Sequence, residues 1–192
     1  MSRRQLSRRE FTAMCVGGIV AGAPPRMPGS RAAPVLLSDV MVPMRDGVRL
    51  ATDVYLPAND GTRYPAILER TPYGKTTPSR SERTRDDPTP MGRAEVAEFF
   101  VRHGYVVIYQ DCRGRFKSEG EFVKYLSDGH DGYDTCAWIL RQPWCNGRIG
   151  TMGLSYAAHT QGALGSAGAP GVAAMFLDSG GFSNAYQGGI RQ

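Results

Sequence analysis

A Gly-Leu-Ser-Tyr-Ala pentad at positions 153–157 constrains the fold of this chain more than any other stretch of its sequence. The pentad directly follows the run Arg-Ile-Gly-Thr-Met at 148–152, which predicts a strand that stops at a sharp turn with Ser155 at its apex. In such a turn the strand and the following helix pass within backbone contact, so only small residues fit beside the apex. Gly153 on one side and Ala157 on the other meet this requirement.

A turn of this type strains the backbone of the serine and lifts its hydroxyl above the edge of the sheet, where it can act as a nucleophile. A partner acid and base would follow in the order Ser, Asp, His, which excludes His103 and His130 because they precede the serine. His159 follows on the same helix, which carries it away from the side where an oxyanion would form. Asp178 ends a predicted strand, and we expect it to cap the next turn. No obvious partner base or acid therefore follows Ser155.

The basic charge of the chain is confined to its first residues. All of the formal net charge of +5 comes from residues 1–33, whereas acidic and basic side chains balance over residues 34–192. No basic stripe is left in this second part to contact phosphates. The distribution therefore argues against nucleic-acid binding.

Residues 1–33 have the layout of an export signal followed by a spacer. Arg8 and Arg9 precede Phe11 and a weakly apolar run at 13–23, a pattern that resembles a twin-arginine signal for proteins exported in the folded state. The apolar run is too short to span a membrane. We therefore expect a periplasmic or extracellular protein that uses the twin-arginine export machinery, with a frayed basic terminus as the alternative.

Three cysteines remain outside the signal region: Cys112, Cys136 and Cys145. Their odd number prevents complete internal pairing, and their spacing matches no zinc site. We expect all three to be buried as small apolar side chains, with a disulfide between Cys136 and Cys145 as the alternative. The sequence predicts neither a metal nor a cofactor.

The pattern of apolar residues predicts an α/β fold. Residues 40–43 and 48–56 form a predicted hairpin across the tight-turn signal Arg-Asp-Gly at 45–47. Further strands are predicted at 64–70, 105–109, 148–152 and 172–177, helices at 95–103, 128–141 and 156–166, and a polar surface loop at 74–92. An antiparallel start followed by strand–helix–strand units indicates a sheet that continues with parallel strands, right-handed crossovers and flanking helices.

Two of these elements carry specific expectations about burial. The continuous apolar run at 105–109 is typical of a central strand that is buried on both faces. The helix at 95–103 is amphipathic, and its spacing predicts that Val96, Phe99 and Phe100 lie together on its inward side.

Several motifs occur in order along residues 38–180: Met-Val-Pro-Met-Arg-Asp-Gly-Val-Arg-Leu at 41–50, Thr-Pro-Tyr-Gly-Lys at 71–75, Gln-Asp-Cys-Arg-Gly at 110–114, Ser-Glu-Gly-Glu-Phe at 118–122, Gln-Pro-Trp-Cys-Asn-Gly at 142–147, and the pentad at 153–157. Together they resemble the group of α/β-hydrolases that contains cocaine esterase, the α-amino-acid ester hydrolases and the Xaa-Pro dipeptidyl-peptidases. The resemblance implies that residues 34–192 are a partial catalytic domain. They would form the N-terminal half of an α/β-hydrolase sheet, truncated before a helical cap and a C-terminal jelly-roll domain.

The same resemblance implies roles for three residues in the hydrolysis of a small ester or peptide. Ser155 would be the acylated nucleophile, and the backbone N–H of Tyr156 and the hydroxyl of Tyr73 would both donate to the oxyanion. From its spacing alone, Tyr73 is better explained as a turn residue that packs its ring, and only the resemblance favours the catalytic role. Ala158 stands where this group usually has Gly. The triad acid and base of the group would follow the cap, so we expect little or no turnover from the chain as given.

Two other functions stay open from the sequence. The first is a truncated remnant with no activity of its own. The second is a nucleotide-binding module that uses the glycines at 147–153, but strand residues lie between these glycines, so phosphate-binding amides would not converge. The sequence does not distinguish ester from dipeptide substrates, and it gives no oligomeric state.

Overall fold

The computed structural model of the chain describes residues 35–58, 60–78 and 88–180. The predicted export signal and spacer at 1–33 lie outside this part of the chain. Within it, the strands are β1 (Val35–Pro43), β2 (Arg49–Leu56), β3 (Tyr64–Thr71), β4 (Val106–Asp111), β5 (Cys145–Leu154) and β6 (Val172–Asp178). The helices are α1 (Arg93–Arg102), α2 (Asp128–Leu140) and α3 (Tyr156–Ser166).

The six strands form one mixed sheet in the order β1-β2-β4-β3-β5-β6. β1 pairs antiparallel with β2 and β2 pairs antiparallel with β4, whereas β4, β3, β5 and β6 run parallel to one another. The predicted hairpin, the antiparallel start and the parallel continuation are therefore confirmed. Because β3 and β5 are neighbours, their carboxyl ends open at the same edge of the sheet.

The core lies on both faces of the sheet, and β4 shows this most clearly because all of its residues are buried. Val107 and Tyr109 point to one face, in an apolar cluster with residues of α1. Val106 and Ile108 point to the other face, in a cluster with residues of α2 and α3. The prediction of a central strand buried on both faces is confirmed, and the fold has three layers.

The inward side of α1 differs from the one that the sequence predicts. Val96, Ala97 and Val101 are buried, whereas Phe99 is 54% exposed. Helical geometry explains the difference, because the buried residues define a face centred between positions 97 and 100, and position 99 lies about 130° around the helix from that centre. The Phe99 ring instead packs on the imidazole of His103, with 4.4 Å between ring centroids. The prediction for Phe99 was wrong.

The three cysteines of the described chain, Cys112, Cys136 and Cys145, are all buried, as the sequence predicts. Burial raises the pKa of the Cys136 thiol to about 12, so this side chain stays neutral and apolar at physiological pH. None of the helices that the structure describes is both long and apolar enough to cross a lipid bilayer.

β6 lies at the edge of the described sheet, next to β5. Its side chains are much less buried than those of β4, and Phe176 is 68% exposed.

Candidate active site

Ser155 occupies the turn between β5 and α3 in a strained backbone conformation, with φ 58° and ψ −114°. A positive φ is uncommon for a residue with a side chain. Backbone hydrogen bonds hold the turn from both sides. The Ser155 N–H donates to the carbonyl of Asp178 over 2.9 Å, and the Ser155 carbonyl accepts from the N–H groups of Ala158 and His159. The hydroxyl is left exposed above the carboxyl end of the sheet.

The residues beside the turn are small because the strand and the helix touch there. Gly153 has φ 149°, and a Cβ atom at this position would lie 2.5 Å from the Cβ of Ala157. Gly180, just after β6, has the same relation to Ala158, with 2.3 Å between the hypothetical Cβ and the real one. The small neighbours that the pentad predicts are thus required by close contact. The methyl group of Ala158 is accommodated because a glycine faces it.

The Tyr73 hydroxyl lies against the serine. It donates to Ser155 Oγ over 3.2 Å, and the backbone N–H of Tyr156 donates to the same Tyr73 oxygen over 3.4 Å. The Tyr73 residue is 48% exposed, so burial of its ring does not account for its position. The structure therefore brings together all three residues that the resemblance singled out. Their catalytic roles stay predictions.

A cavity of about 670 Å³ opens beside Ser155. Its lining includes Tyr73, Pro78, Pro90 and Leu154 beside the serine, with the Glu69–Arg93 ion pair at its wall. Concave, mostly apolar sites of this size are the usual form of small-molecule pockets. The cavity is large enough for one substituent of a small ester or peptide next to the serine hydroxyl.

Arg93, the first residue of α1, connects that cavity wall to the loop after β3. Its guanidinium bonds the Glu69 carboxylate over 2.6 Å and donates to the backbone carbonyls of Gly74, over 3.1 Å, and Thr77. The Thr77 hydroxyl in turn donates to the carbonyl of Tyr73 over 2.8 Å. A buried arginine with several fixed donors thus holds the segment that carries the tyrosine. No signal in the sequence around Arg93 marks it as part of the site.

The side chain of Tyr156 is fixed at its far end by Asp128. Its hydroxyl donates to Asp128 Oδ2 over 2.7 Å and accepts the N–H of Tyr125 over 2.8 Å, and the two tyrosine rings stack. Burial and the neighbouring carboxylate raise the pKa of the Tyr156 phenol well above its usual range. Sequence reasoning missed Asp128, because nothing in the local sequence links a residue at the start of α2 to the turn at Ser155.

His159 faces Asp128 and not the serine. Its Nε2 is 3.6 Å from Asp128 Oδ2, which is too long for a hydrogen bond, and its ring packs edge-on against Tyr125. Burial lowers its pKa, partly offset by the Asp128 carboxylate. Within the described part of the chain, its ring makes no hydrogen bond to Ser155. The prediction that the helix carries His159 away from the reacting side agrees with this position.

The other polar residues considered from the sequence lie in structural positions. His103 caps the end of α1, with its Nδ1 2.7 Å from the carbonyl of Phe99, and His130 lies in the first turn of α2. The Asp178 carboxylate accepts the hydroxyl of Ser179 over 2.8 Å in the turn after β6. Over the residues described, no group of three His, Cys, Asp or Glu side chains has the arrangement of a metal site.

The strand order, the helices on both faces and the strained serine between a parallel strand and a helix define an α/β-hydrolase fold. Comparison with known proteins gives the family. The chain belongs to the X-Pro dipeptidyl-peptidase (S15) family, whose model matches residues 46–192. The resemblance drawn from the motifs is thus confirmed.

Individual relatives agree with this family. Cocaine esterase of Rhodococcus sp. (strain MB1 Bresler) is 44% identical over 138 residues, which cover 72% of this chain and 22% of the esterase. Among solved structures, a CocE/NonD family hydrolase from Staphylococcus aureus matches 75% of this chain and 27% of its own with a TM-score of 0.63 and 29% identity. An α-amino acid ester hydrolase matches 76% of this chain and 26% of its own with a TM-score of 0.53 and 27% identity. The chain spans about a fifth of the length of the curated relatives that it matches.

Proposed function

We propose that this chain carries the nucleophile and the oxyanion-binding groups of a serine hydrolase that acts on acyl esters or on Xaa-Pro peptides. The observation that carries the proposal is the convergence of the Tyr73 hydroxyl and the Tyr156 N–H beside Ser155 Oγ. Membership of a hydrolase family supports the reaction class. The cocaine esterase relative supports esters, and the family description supports X-Pro dipeptides.

The reaction would begin with attack of Ser155 Oγ on the carbonyl carbon of the substrate, while the hydroxyl proton passes to solvent water. The carbonyl oxygen becomes an oxyanion, which accepts hydrogen bonds from the Tyr156 N–H and the Tyr73 hydroxyl. Collapse of the tetrahedral intermediate expels the alcohol or amine, which takes up a proton from water, and leaves an acyl-serine. Attack of a water molecule on the acyl-serine then releases the carboxylic acid and restores the Ser155 hydroxyl. Each donor is expected to lower the barrier by about 3 kcal/mol, because it meets charge that develops only in the transition state.

We further propose that the chain by itself acylates slowly and turns over little. A serine hydroxyl needs a base to accept its proton, and without one it is a poor nucleophile at neutral pH. Among the described residues, the imidazole of His159 faces Asp128 instead of the serine. A residual rate from the oxyanion site alone is the expected outcome.

The test is p-nitrophenyl acetate hydrolysis by the full chain, followed by release of p-nitrophenolate and by intact mass. We expect slow addition of one acetyl group, on Ser155, that disappears in Ser155→Ala. Tyr73→Phe should slow acetylation about 10²-fold. Tyr133→Phe, on the outward side of α2, is the matched control and should acetylate at the wild-type rate.

Two results would contradict the proposal in different ways. Acetylation that persists in Ser155→Ala would place the acetyl group on another residue and refute Ser155 as the nucleophile. Fast turnover that depends on Ser155 would keep the nucleophile and refute the claim of low turnover. Comparing p-nitrophenyl acetate with Ala-Pro-p-nitroanilide would distinguish ester from dipeptide preference.

Export also stays a proposal, supported by the arginine pair and the apolar run in residues 1–33. Expression in a host with a twin-arginine pathway and N-terminal sequencing of the exported protein is the test. A processed N-terminus within or just after this region is expected. An intact Met1 on protein that stays in the cytoplasm would contradict export.

A further inference from the structure

Lys75 lies two residues after Tyr73, and its buried ammonium contacts two carboxylates, the buried Asp53 and the half-exposed Asp39. Its Nζ is 2.7 Å from Asp53 Oδ1 and 2.8 Å from Asp39 Oδ1. The side chains of Lys75 and Asp53 are only 3% and 5% exposed. Burial alone lowers the pKa of Lys75, but its hydrogen bonds to the two carboxylates outweigh this effect and raise the pKa. The buried side chain is therefore an ammonium ion.

The backbone of Lys75 is held as firmly as its side chain. Its N–H donates to Asp111 Oδ1 over 2.7 Å, at the carboxyl end of β4. Asp53 lies in β2 and Asp39 in β1, so three strands converge on one residue of the loop after β3. The proline-containing loop is thereby fixed to the sheet at a single position.

Asp39 reaches Lys75 through an irregularity in β1. The pairing of β1 with β2 shifts between Leu37 and Val40, so Ser38 and Asp39 together oppose Asp53. Asp39 has φ 54°, and its N–H donates to Asp53 Oδ1 over 2.9 Å. Bulges re-aim side chains and are retained at functional sites, where local backbone strain is offset by what it positions.

Packing alone does not explain a charged cluster in this place. Well-packed apolar side chains of similar volume are often as stable as a buried ion pair, because burying charges costs free energy. What the ion pairs add is a unique geometry for the loop. An oxyanion donor needs that geometry, since a misplacement of about 1 Å can cost about 10² in rate.

We propose that Lys75 is a positioning residue for Tyr73. Its ammonium, bound by Asp53 and Asp39, fixes the loop so that the Tyr73 hydroxyl lies 3.2 Å from Ser155 Oγ. The inference rests on the proposed function, because it assigns a task to Lys75 only if Tyr73 stabilises the oxyanion. Arg93 supports the same loop from α1, at the carbonyls of Gly74 and Thr77.

The test is a double-mutant cycle on the acetylation of the full chain by p-nitrophenyl acetate. We expect Lys75→Met to slow the acetylation step about tenfold or more, with little change in the concentration for half-maximal rate. In the Tyr73→Phe background, Lys75→Met should slow the reaction no further, because the hydroxyl that it positions is gone. An equal further loss in that background would show a general structural defect and overturn the inference.

Lys117→Met is the matched control. The Lys117 ammonium also bonds Asp39, over 2.5 Å, but its side chain is 65% exposed and does not belong to the tyrosine loop. We expect its acetylation rate to equal the wild-type rate. If Lys117→Met slows acetylation as much as Lys75→Met does, the inference is overturned. The loss of an exposed ammonium at Asp39 would then slow the reaction without any change in the tyrosine loop.

Circular dichroism and thermal unfolding would show whether Lys75→Met folds. If it does not fold, a second variant tests the same inference. Asp39→Asn removes one partner of Lys75 at a half-exposed position, and we expect a loss of about threefold that again vanishes in the Tyr73→Phe background. If Lys75→Met and Asp39→Asn both acetylate at the wild-type rate while Tyr73→Phe is slow, the positioning role of Lys75 is refuted and the oxyanion role of Tyr73 stands. A wild-type rate in Tyr73→Phe would refute the oxyanion role and the inference with it.

Discussion

The two segments that meet at Ser155 are held in place by different forces. The turn at 153–157 is fixed by steric fit, since Gly153 has no room for a side chain and the backbone closes its own hydrogen bonds. The loop at 73–77 is fixed by buried charges, through Lys75 on one side and Arg93 on the other. One segment presents a backbone N–H and the other presents a side-chain hydroxyl.

The difference follows from what each donor requires. A backbone N–H is positioned once the main chain is positioned, so contact between small residues is enough. A tyrosine hydroxyl lies several bonds from the main chain, so its loop needs strong, directional partners to keep it at one place. Substitutions should therefore damage the turn through overpacking and the loop through lost ionic hydrogen bonds.

Arg93→Met should have the largest effect on stability. The substitution removes the buried guanidinium from Glu69 and from two loop carbonyls, and we expect a loss of about 4 kcal/mol in the free energy of unfolding. Urea unfolding measures this. The matched control is Arg102→Met, at the other end of α1, whose ion pair with Glu98 is exposed and should contribute less than about 0.5 kcal/mol. If the two variants lose the same free energy of unfolding, the buried ion pair of Arg93 stabilises the chain no more than an exposed one, and buried charges do not hold the loop.

Gly153→Ala tests the steric side of the comparison. A methyl group at φ 149° would lie 2.5 Å from the Ala157 Cβ, and we expect a loss of about 3 kcal/mol from strain and overpacking. Gly162→Ala, within α3, has open space around its Cβ position and should stabilise the chain by about 0.5 kcal/mol through helix propensity. Thermal unfolding of both variants gives the comparison. A neutral Gly153→Ala would mean that close contact does not shape the turn.

Tyr156→Phe should have an intermediate effect. It removes the hydroxyl that donates to Asp128 and accepts the Tyr125 N–H, and we expect a loss of about 2 kcal/mol. Urea unfolding of Tyr156→Phe against Tyr133→Phe, a less buried tyrosine, measures the difference. If both variants unfold like the wild type, the phenol does not anchor the start of α3.

The smallest expected effect is a pH dependence that comes from His159. Burial lowers its pKa in the folded chain, so the unfolded chain binds more protons between that value and about 6.5. Stability is therefore complete above about pH 6.5 and falls as the pH decreases through this window. We expect thermal unfolding of His159→Gln to lose this slope, whereas His103→Gln, at an exposed position, keeps it. If the stability of both variants depends on pH to the same extent, His159 is not the source of the pH dependence.

Most of the fold could be predicted from the sequence, because its elements have strong local signals. The Arg-Asp-Gly turn at 45–47, the apolar run at 105–109 and the pentad at 153–157 each place an element within a few residues of its observed bounds. Phe99 was the exception, since an amphipathic pattern does not fix the centre of a helical face to within one residue. The insertion of β4 between β2 and β3 depends on pairing across the whole chain.

The candidate site divides in the same way. Ser155 and the Tyr156 N–H could be predicted from five consecutive residues, but Tyr73 required a family resemblance. Lys75, Arg93 and Asp128 were missed. Their respective partners Asp53, Glu69 and Tyr156 lie 22, 24 and 28 positions away, and polar contacts at such separations leave no pattern in the sequence.

The bulge at Asp39 makes the length of β1 matter at a distance. Successive residues of a regular strand alternate between its two faces, so deleting Ser38 would restore the alternation and turn the Asp39 carboxylate towards the opposite face. A one-residue deletion in the outermost strand would then alter a tyrosine that lies more than thirty residues further along the chain. Exchange of β1 between relatives must therefore preserve its residue count as well as its apolar pattern.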